Sequence, residues 1–435
     1  MKLPLQLQNY LRSHDNVVSK IIPLDPYNDY PKFFHFSAPY QPNVLNETKL
    51  KLEPNALSDS HDDAIIRTCM EAIERYGLIN ILKEDLVKGN YQTLKKKYPI
   101  PNPIEFYYDH TDPNLLINKR NLETQSFVWI KSIELLSQKN YYIPAQLIYF
   151  LPSAFNEPYI RLPDTTGAAS AFTLEQAIIQ SICEIIERES FAVFFYTQAH
   201  FNRIKISVSE KGQITRLISY LNKYFLSPVI VDITTDTKIP TYCCWLLNSS
   251  KLPYPQLVVG ISSNPSKKIA IKKAILEAVQ SLTNCRNMLT LDLILEKQNS
   301  KRPYLNRASV RNMLYWAEKN PAQKDFLKFF TSLKEKTISL KNDERSLTSH
   351  VMLKNILQNL QKVGIKNIYS VNISPYLAKY GIYNIRVVIP GLLPLSLHTP
   401  YSYSKSARIL EISKKLGINS IQNPNFFTNI PHPFP

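Results

Sequence analysis

Helical and strand-like patterns interleave along the 435 residues, which predicts a mixed α/β (α+β) chain. Two observations carry this. Apolar residues recur at helical spacing near 60–82, 174–198 and 267–290. Around these lie short β-rich runs bounded by turn formers: SPVIVDIT at 227–234, PTYCCWLL at 240–247, PQLVVGI at 255–261, NIYSVNIS at 367–374 and YNIRVVIP at 383–390.

Taken in order, residues 1–45 carry Pro, Tyr and Asn without periodicity and read as strand and loop. Ser60 opens the first long helix as its cap. Residues 83–140 are charged and Pro-marked, helical in part, and YYIPAQLIYFLP at 141–152 reads as strand. Thr173 with Gln176 is a capping-box start for the second long helix. Residues 303–365 read as mostly helical, and the segment beyond 390 as loop and tail.

Composition narrows the function. Hydrophobic residues at 44 % and charged residues at 20 % suit a folded globular chain. The net charge of +17 suggests an acidic partner, but Lys and Arg are scattered and no nucleic-acid-binding motif accompanies them. No nucleic acid is therefore expected. Only nine Gly occur, with no G-x-x-x-x-G-K-[ST] and no G-x-G-x-x-G, so neither backbone cradle for phosphate is available. Five Cys without C-x-x-C predict reduced thiols of a cytoplasmic protein. The start is no secretory signal, and no apolar run is long enough for a span. With no H-E-x-x-H and no G-x-S-x-G, metalloprotease and serine hydrolase chemistry lack support.

The chemistry sits on polar stripes of apolar helices. Gln176, Gln180, Glu184, Glu187 and Arg188 recur at steps of four and three in a helix that is otherwise apolar almost all round. An intrahelical Glu184–Arg188 pair is one account. Buried carboxylates nevertheless need a cation or a tight polar network. Arg67, Glu71, Glu74 and Arg75 repeat the arrangement on the first helix. Lys273, Glu277, Gln280 and Asn284 do so on the third, with Arg286 beyond. Three such stripes predict acidic side chains brought to one site. Magnesium, a hard cation shared between carboxylates and nucleotide phosphates, fits them without a P-loop. A bare metal site is the rival.

These residues resemble the YcaO family: AIIRTCMEAIERY at 64–76, TTGAASAFTLEQAIIQSICEIIERES at 165–190 and KKAILEAVQS at 272–281. The closing Pro431-His432-Pro433-Phe434-Pro435 is similar to the P-x-P-x-P terminus of azoline-forming members. The resemblance implies a YcaO-type fold with mixed sheets. It divides the chain into an N-terminal extension at 1–45, a catalytic domain at 46–430 and the tail at 431–435. It implies ATP and Mg²⁺ as cofactors. Glu71, Glu74, Glu184 and Glu187 would take the metal. These four, with Arg75, Arg188, Glu277, Gln280 and Arg286, would bind the nucleotide. Pro431, Pro433 and Pro435 would serve catalysis. The implied activity is that of a stand-alone cyclodehydratase of thiazole/oxazole-modified microcin (bacteriocin) pathways, similar to the streptolysin-S type. It would act on a ribosomally made precursor peptide with a ThiF/E1-like leader-binding partner, in a pathway with room for a flavin dehydrogenase, and as a homodimer. Backbone thioamide formation is the alternative product. A non-catalytic peptide-binding member is another, kept open because Phe172 and Gln176 stand where relatives carry Asn and Glu. Leu57-Ser58-Asp59 likewise stands where many relatives carry a Gly-Lys-Gly turn, and Glu189 replaces their Asp.

Overall fold

The structure is a computed structural model. It describes residues 3–39, 53–84, 86–107, 116–150, 155–197, 201–207, 212–250, 255–297, 308–317, 321–340, 347–393, 406–417 and 430–433. The chain divides into two compact units. The first comprises residues 1–25, 34–185 and 347–392; the second comprises 26–33, 186–346 and 393–435. No helix among the described residues is long and apolar enough to cross a membrane. All five Cys are free and buried.

The first unit holds two sheets. Strands β1 (Ile22–Pro23), β2 (Phe34–Ser37) and β3 (Asn55–Ser58) form an antiparallel three-stranded sheet. Helix α2 (His61–Ile79) follows β3 directly. Ser60 caps it by accepting from Asp63 N, and Asp62 and Asp63 suit the positive end of the helix. The larger sheet runs β4 (Leu86–Asn90), β5 (Ser126–Glu134), β13 (Tyr369–Asn372), β14 (Tyr383–Val388), β7 (Ala168–Ala171), with β6 (Lys139–Pro144) also pairing β5. Trp129, Phe127, Tyr149 and Tyr369 fill the core behind it. Helices α1 (Leu5–Leu11), α3 (Tyr91–Leu94) and α9 (Ser349–Lys362) complete this unit.

Helix α4 (Leu174–Thr197) starts as its sequence predicts, with Gln176 N bonded to Thr173 Oγ1 at 3.2 Å. Its residues to Ile185 belong to the first unit, those from Ile186 to the second. Gln176 and Gln180 are exposed, so its first turns are not buried all round.

The second unit is built on one sheet, ordered β11 (Leu257–Ser263), β10 (Thr241–Asn248), β9 (Leu226–Asp232), β8 (Asn202–Ile206), β12 (Glu335–Ile338). Among the described residues of this sheet, only the β8–β12 pair is parallel. Helices α5 (Gln213–Asn222), α6 (Lys267–Lys297), α7 (Ala308–Ala317), α8 (Pro321–Ser332) and α10 (Ala407–Lys415) belong to it. An aromatic core of Phe191, Phe194, Phe195, Trp245, Trp316, Phe326 and Phe330 lies within.

The long helices and the strands at 226–263 and 369–388 follow the sequence pattern. Four segments do not. In the run read as strand at 141–152, β6 ends at Pro144 and a 3-10 turn follows at Ala145–Leu147. The helix α1 lies in the stretch read as strand and loop, and α10 in the stretch read as loop and tail. Residues 126–134 form the longest strand, where the sequence suggested partial helix. The charged Glu134 obscured it. Burial pushes this carboxyl up, but Ser137 and the backbone amides of Leu136, Ser137 and Ile368 outweigh burial and hold it below the usual range.

Helix α6 packs on β11 through Gly260. A Cβ there would strike the backbone of Ala278, Ala274 and Glu277. Gly260→Ala should therefore force the helix off the strand and destabilise the chain by about 1–3 kcal/mol or more. Chemical denaturation checks this; an unchanged unfolding midpoint would show that the close approach is dispensable.

Candidate nucleotide and metal site

In the first unit, α2 presents Arg67, Glu71, Glu74 and Arg75 at steps of four, three and one. Arg75 Nη2 lies 3.6 Å from Glu71 Oε1, and its Nε lies 3.7 Å from Glu74 Oε1. Arg67 Nη1 donates to the Leu57 carbonyl at 3.0 Å. That ties α2 to the end of β3, where Ser58 Oγ also donates to Asp63 at 2.7 Å. The two glutamate side chains are 30 % and 16 % exposed. Removal from water pushes both carboxyls up. Arg75 and Arg67 restrain Glu71, while Glu184 adds to the rise. Burial pushes Glu74 up to about 8, with Arg75 opposing and Glu184 and Glu71 reinforcing.

Glu184 approaches from α4. Its Oε2 accepts from Gly167 N at 2.9 Å. Gly167 has φ +84°, and a Cβ would meet the Val387 carbonyl at 2.5 Å, so only glycine serves there. Val387 N in turn donates to the Gly167 carbonyl at 2.7 Å. Beside this strand lies Arg386, 1 % exposed. Its Nη2 donates to the Asp164 carbonyl and to Asp164 Oδ1 at 3.1 and 3.0 Å, while its Nε and Nη1 are buried without a hydrogen-bond acceptor. Burial lowers its basicity against the pull of Asp164 and Glu184.

In the second unit, β11 is an edge strand, and two carboxylates occupy its open edge. Ile261 N donates to Glu277 Oε2 at 3.0 Å, and Ser263 N donates to Glu187 Oε2 at 3.1 Å. The two amides are two residues apart and so point the same way. Gln280 lies three residues beyond Glu277 on α6. Arg286, nine residues on, is half a turn round the helix from Glu277. It pairs with Asp29 at 2.8 Å and lies over the rings of Tyr27 and Tyr30, at 3.8 and 4.5 Å. Arg188 is half-buried. Glu189, next to it, is fully buried and bonded to Arg408 and to Leu393 N; Arg408 also binds Asp236. Pro431 accepts from Trp316 Nε1 at 2.5 Å and Pro433 is buried, while Pro435 lies outside the described residues.

A family model described as YcaO cyclodehydratase, ATP- and Mg²⁺-binding, matches residues 57–393. The chain belongs to the YcaO family. An uncharacterised protein of Methanothermobacter thermautotrophicus is 23 % identical over 292 residues, 65 % of this chain and 70 % of that one. Three solved structures share the YcaO fold. A heterocyclase in complex with substrate and cofactor has a TM-score of 0.70 at 17 % identity, covering 95 % of this chain and 54 % of that one. The chain thus spans about half the length of that heterocyclase. A chain of the E. coli microcin synthetase McbBCD complex with pro-MccB17 bound has a TM-score of 0.65 at 16 % identity, covering 95 % and 96 %. YcaO from Methanopyrus kandleri, bound with AMPPCP and Mg²⁺, has a TM-score of 0.61 at 14 % identity, covering 89 % of each chain.

The donor set suits the ATP and Mg²⁺ of the family. Glu71, Glu74 and Glu184 are hard oxygen donors, and burial holds back the ionisation of the first two. Arg386 supplies buried N–H groups fit for an anion. Among the described residues, no three His, Cys, Asp or Glu side chains form a ready-made metal cluster. A YcaO ion that shares its ligands with phosphate oxygens needs no such cluster. Phe172, which raised the possibility of a non-catalytic member, packs into the core beside Ile73 and Leu377. Gln176 is solvent-exposed. Sequence reasoning passed over Arg386, although a lone Arg inside YNIRVVIP was a signal. It could not see the amides of Gly167, Ile261 and Ser263.

Burial of Glu74 carries a sign. Between its ordinary value of 4.5 and about 8 the folded chain holds a proton that the unfolded chain releases, so stability falls as pH rises through that window. Glu71 acts in the same direction. Without nucleotide, the melting temperature should drop from pH 5 to pH 8, and Glu74→Gln should shrink the drop. Equal slopes for both proteins would refute the assignment.

Proposed function

We propose that this YcaO protein uses ATP to activate backbone amides of a ribosomally made precursor peptide, converting Cys, Ser or Thr to thiazoline or oxazoline. The carrying observation is the first unit's pair of buried glutamates, Glu71 and Glu74, whose carboxyls are pushed up with Glu184 nearby, beside an arginine with buried N–H groups to spare. Mg²⁺ and a polyphosphate complete both halves. Glu71, Glu74, Glu184 and Glu187 would hold the metal, whose chemistry when bound is to offset phosphate charge. Arg75, Arg188, Glu277, Gln280 and Arg286 would hold the nucleotide.

In the reaction, the substrate thiol or hydroxyl loses its proton to a base and adds to the preceding carbonyl carbon. The resulting alkoxide oxygen takes the γ-phosphoryl group, and the bond to ADP breaks. Departure of phosphate with loss of the amide N–H proton leaves the C=N bond of the azoline. An amide oxygen is a poor leaving group, so the chain's task is to place that oxygen in line and stabilise charge. Pro431, Pro433 and Pro435 would help position the amide. The matched heterocyclase is in complex with substrate and cofactor, and the matched microcin synthetase chain belongs to a three-component assembly with pro-MccB17 bound. Both support a bound substrate, which for this chain would be the precursor peptide. The assembly also supports partners, which for this chain would be a ThiF/E1-like leader-binding protein and a flavin dehydrogenase. A homodimer is the expected form.

Glu187→Gln keeps an oxygen for Ser263 N–H and removes the charge. It should abolish ATP turnover and the 18-dalton loss per ring in precursor mass while the melting temperature holds. Wild-type turnover in that variant would sink the metal assignment. Deleting residues 431–435 should abolish ring formation and leave nucleotide affinity largely intact. Normal ring formation after the deletion would remove the tail from catalysis and reopen the thioamide product.

A further inference from the structure

The described part of the tail sits in an aromatic cage. Trp316 Nε1 fixes the Pro431 carbonyl. The next side chain, His432, is 0 % exposed. Its ring meets Phe191 and Phe195 edge-on, with centroids 6.3 and 6.5 Å away and interplanar angles of 83° and 88°. Phe191 and Phe195 stack on each other at 5.8 Å and 19°, so they offer one flat wall. Trp316 packs edge-on to Phe195 at 6.2 Å and to Trp245 at 6.0 Å, which stiffens the cage. Ile430 packs against the same core.

Two features turn this contact into a positioning device. Prolines on either side of His432 fix φ, so pinning one carbonyl and one ring leaves the Pro431–Pro433 stretch little freedom. Phe191 also lies four residues after Glu187 on α4, one turn along the same face. The cage and the Glu187 carboxylate are neighbours on one helix stripe.

We infer that His432 is a positioning residue. Its ring works by shape, as a plug against Phe191 and Phe195, and sets the register of the proline segment against the Glu187 turn. Its nitrogens exchange no proton with substrate. The catalytic consequence rests on the function proposed above, but the anchor itself does not.

The test uses the full chain with precursor and partner protein. His432→Ala should lower kcat for ring formation by about 100-fold with KM for ATP unchanged, the scale of a small misplacement of reacting groups. His432→Phe keeps a flat ring that can meet the same wall and should restore the rate. Trp316→Phe keeps the cage and deletes the N–H, so it tests the anchor should the alanine variant fail to fold. It should slow ring formation and raise hydrogen exchange at the His432 amide by about tenfold. A phenylalanine variant as slow as alanine, with an altered pH–rate profile, would make His432 a base and overturn the inference. So would an alanine variant at full rate. Should the wild type modify no precursor, the proposed function fails while the exchange measurement still decides the anchor. A His432 amide exchanging freely in the wild type overturns it.

Discussion

Carboxylates drawn away from water must have their charge answered on the spot, and much of this structure follows from how that is done. Glu184, Glu187 and Glu277 each receive a backbone amide, from Gly167, Ser263 and Ile261. Glu189 receives a guanidinium and an amide. Glu71 and Glu74 share Arg75 and remain reluctant to ionise. The first three are oriented by main chain, the fourth is neutralised, and the last pair is left short of positive charge. That ranking separates structural acids from those suited to a cation more sharply than burial does, since Glu189 is the most buried of all.

The contrast on α4 makes the point. Glu187 and Glu189 are two residues apart and face different surroundings. Glu189 meets Arg408, itself bound to Asp236, in a closed charge network that ties α10 to the unit. Glu187 takes an amide of the β11 edge, from Ser263, a bond that fixes the direction of the carboxylate. One helix thus carries both a fastener and a candidate ligand, and the 3.6-residue turn keeps them apart.

Legibility in the sequence followed the same physics. Helices α2, α4 and α6 were readable because their apolar periodicity is long, and their Glu and Arg stripes were readable as exceptions to it. Strand β5 was hidden because Glu134 breaks an apolar run, and nothing local announces that amides of distant residues satisfy it. Helix α1 is too short for periodicity to show. In the site, side chains could be nominated but their partners could not. An amide donor has no letter of its own, and Arg386 owes its importance to burial by a sheet assembled from strands far apart in sequence.

Gly260 gives this a further meaning. The chain has nine glycines, and this one has no ligand, no charge and no unusual φ. Yet it lets α6 lie close enough for Glu277 to reach Ile261 N. A methyl group at 260 and the loss of the carboxylate at 277 therefore injure the same contact from opposite sides. Because the atoms that methyl group would meet are backbone, at Ala274, Glu277 and Ala278, no trimming of α6 side chains would make room, and the polar contact at 277 hangs on a residue that carries no polar group at all.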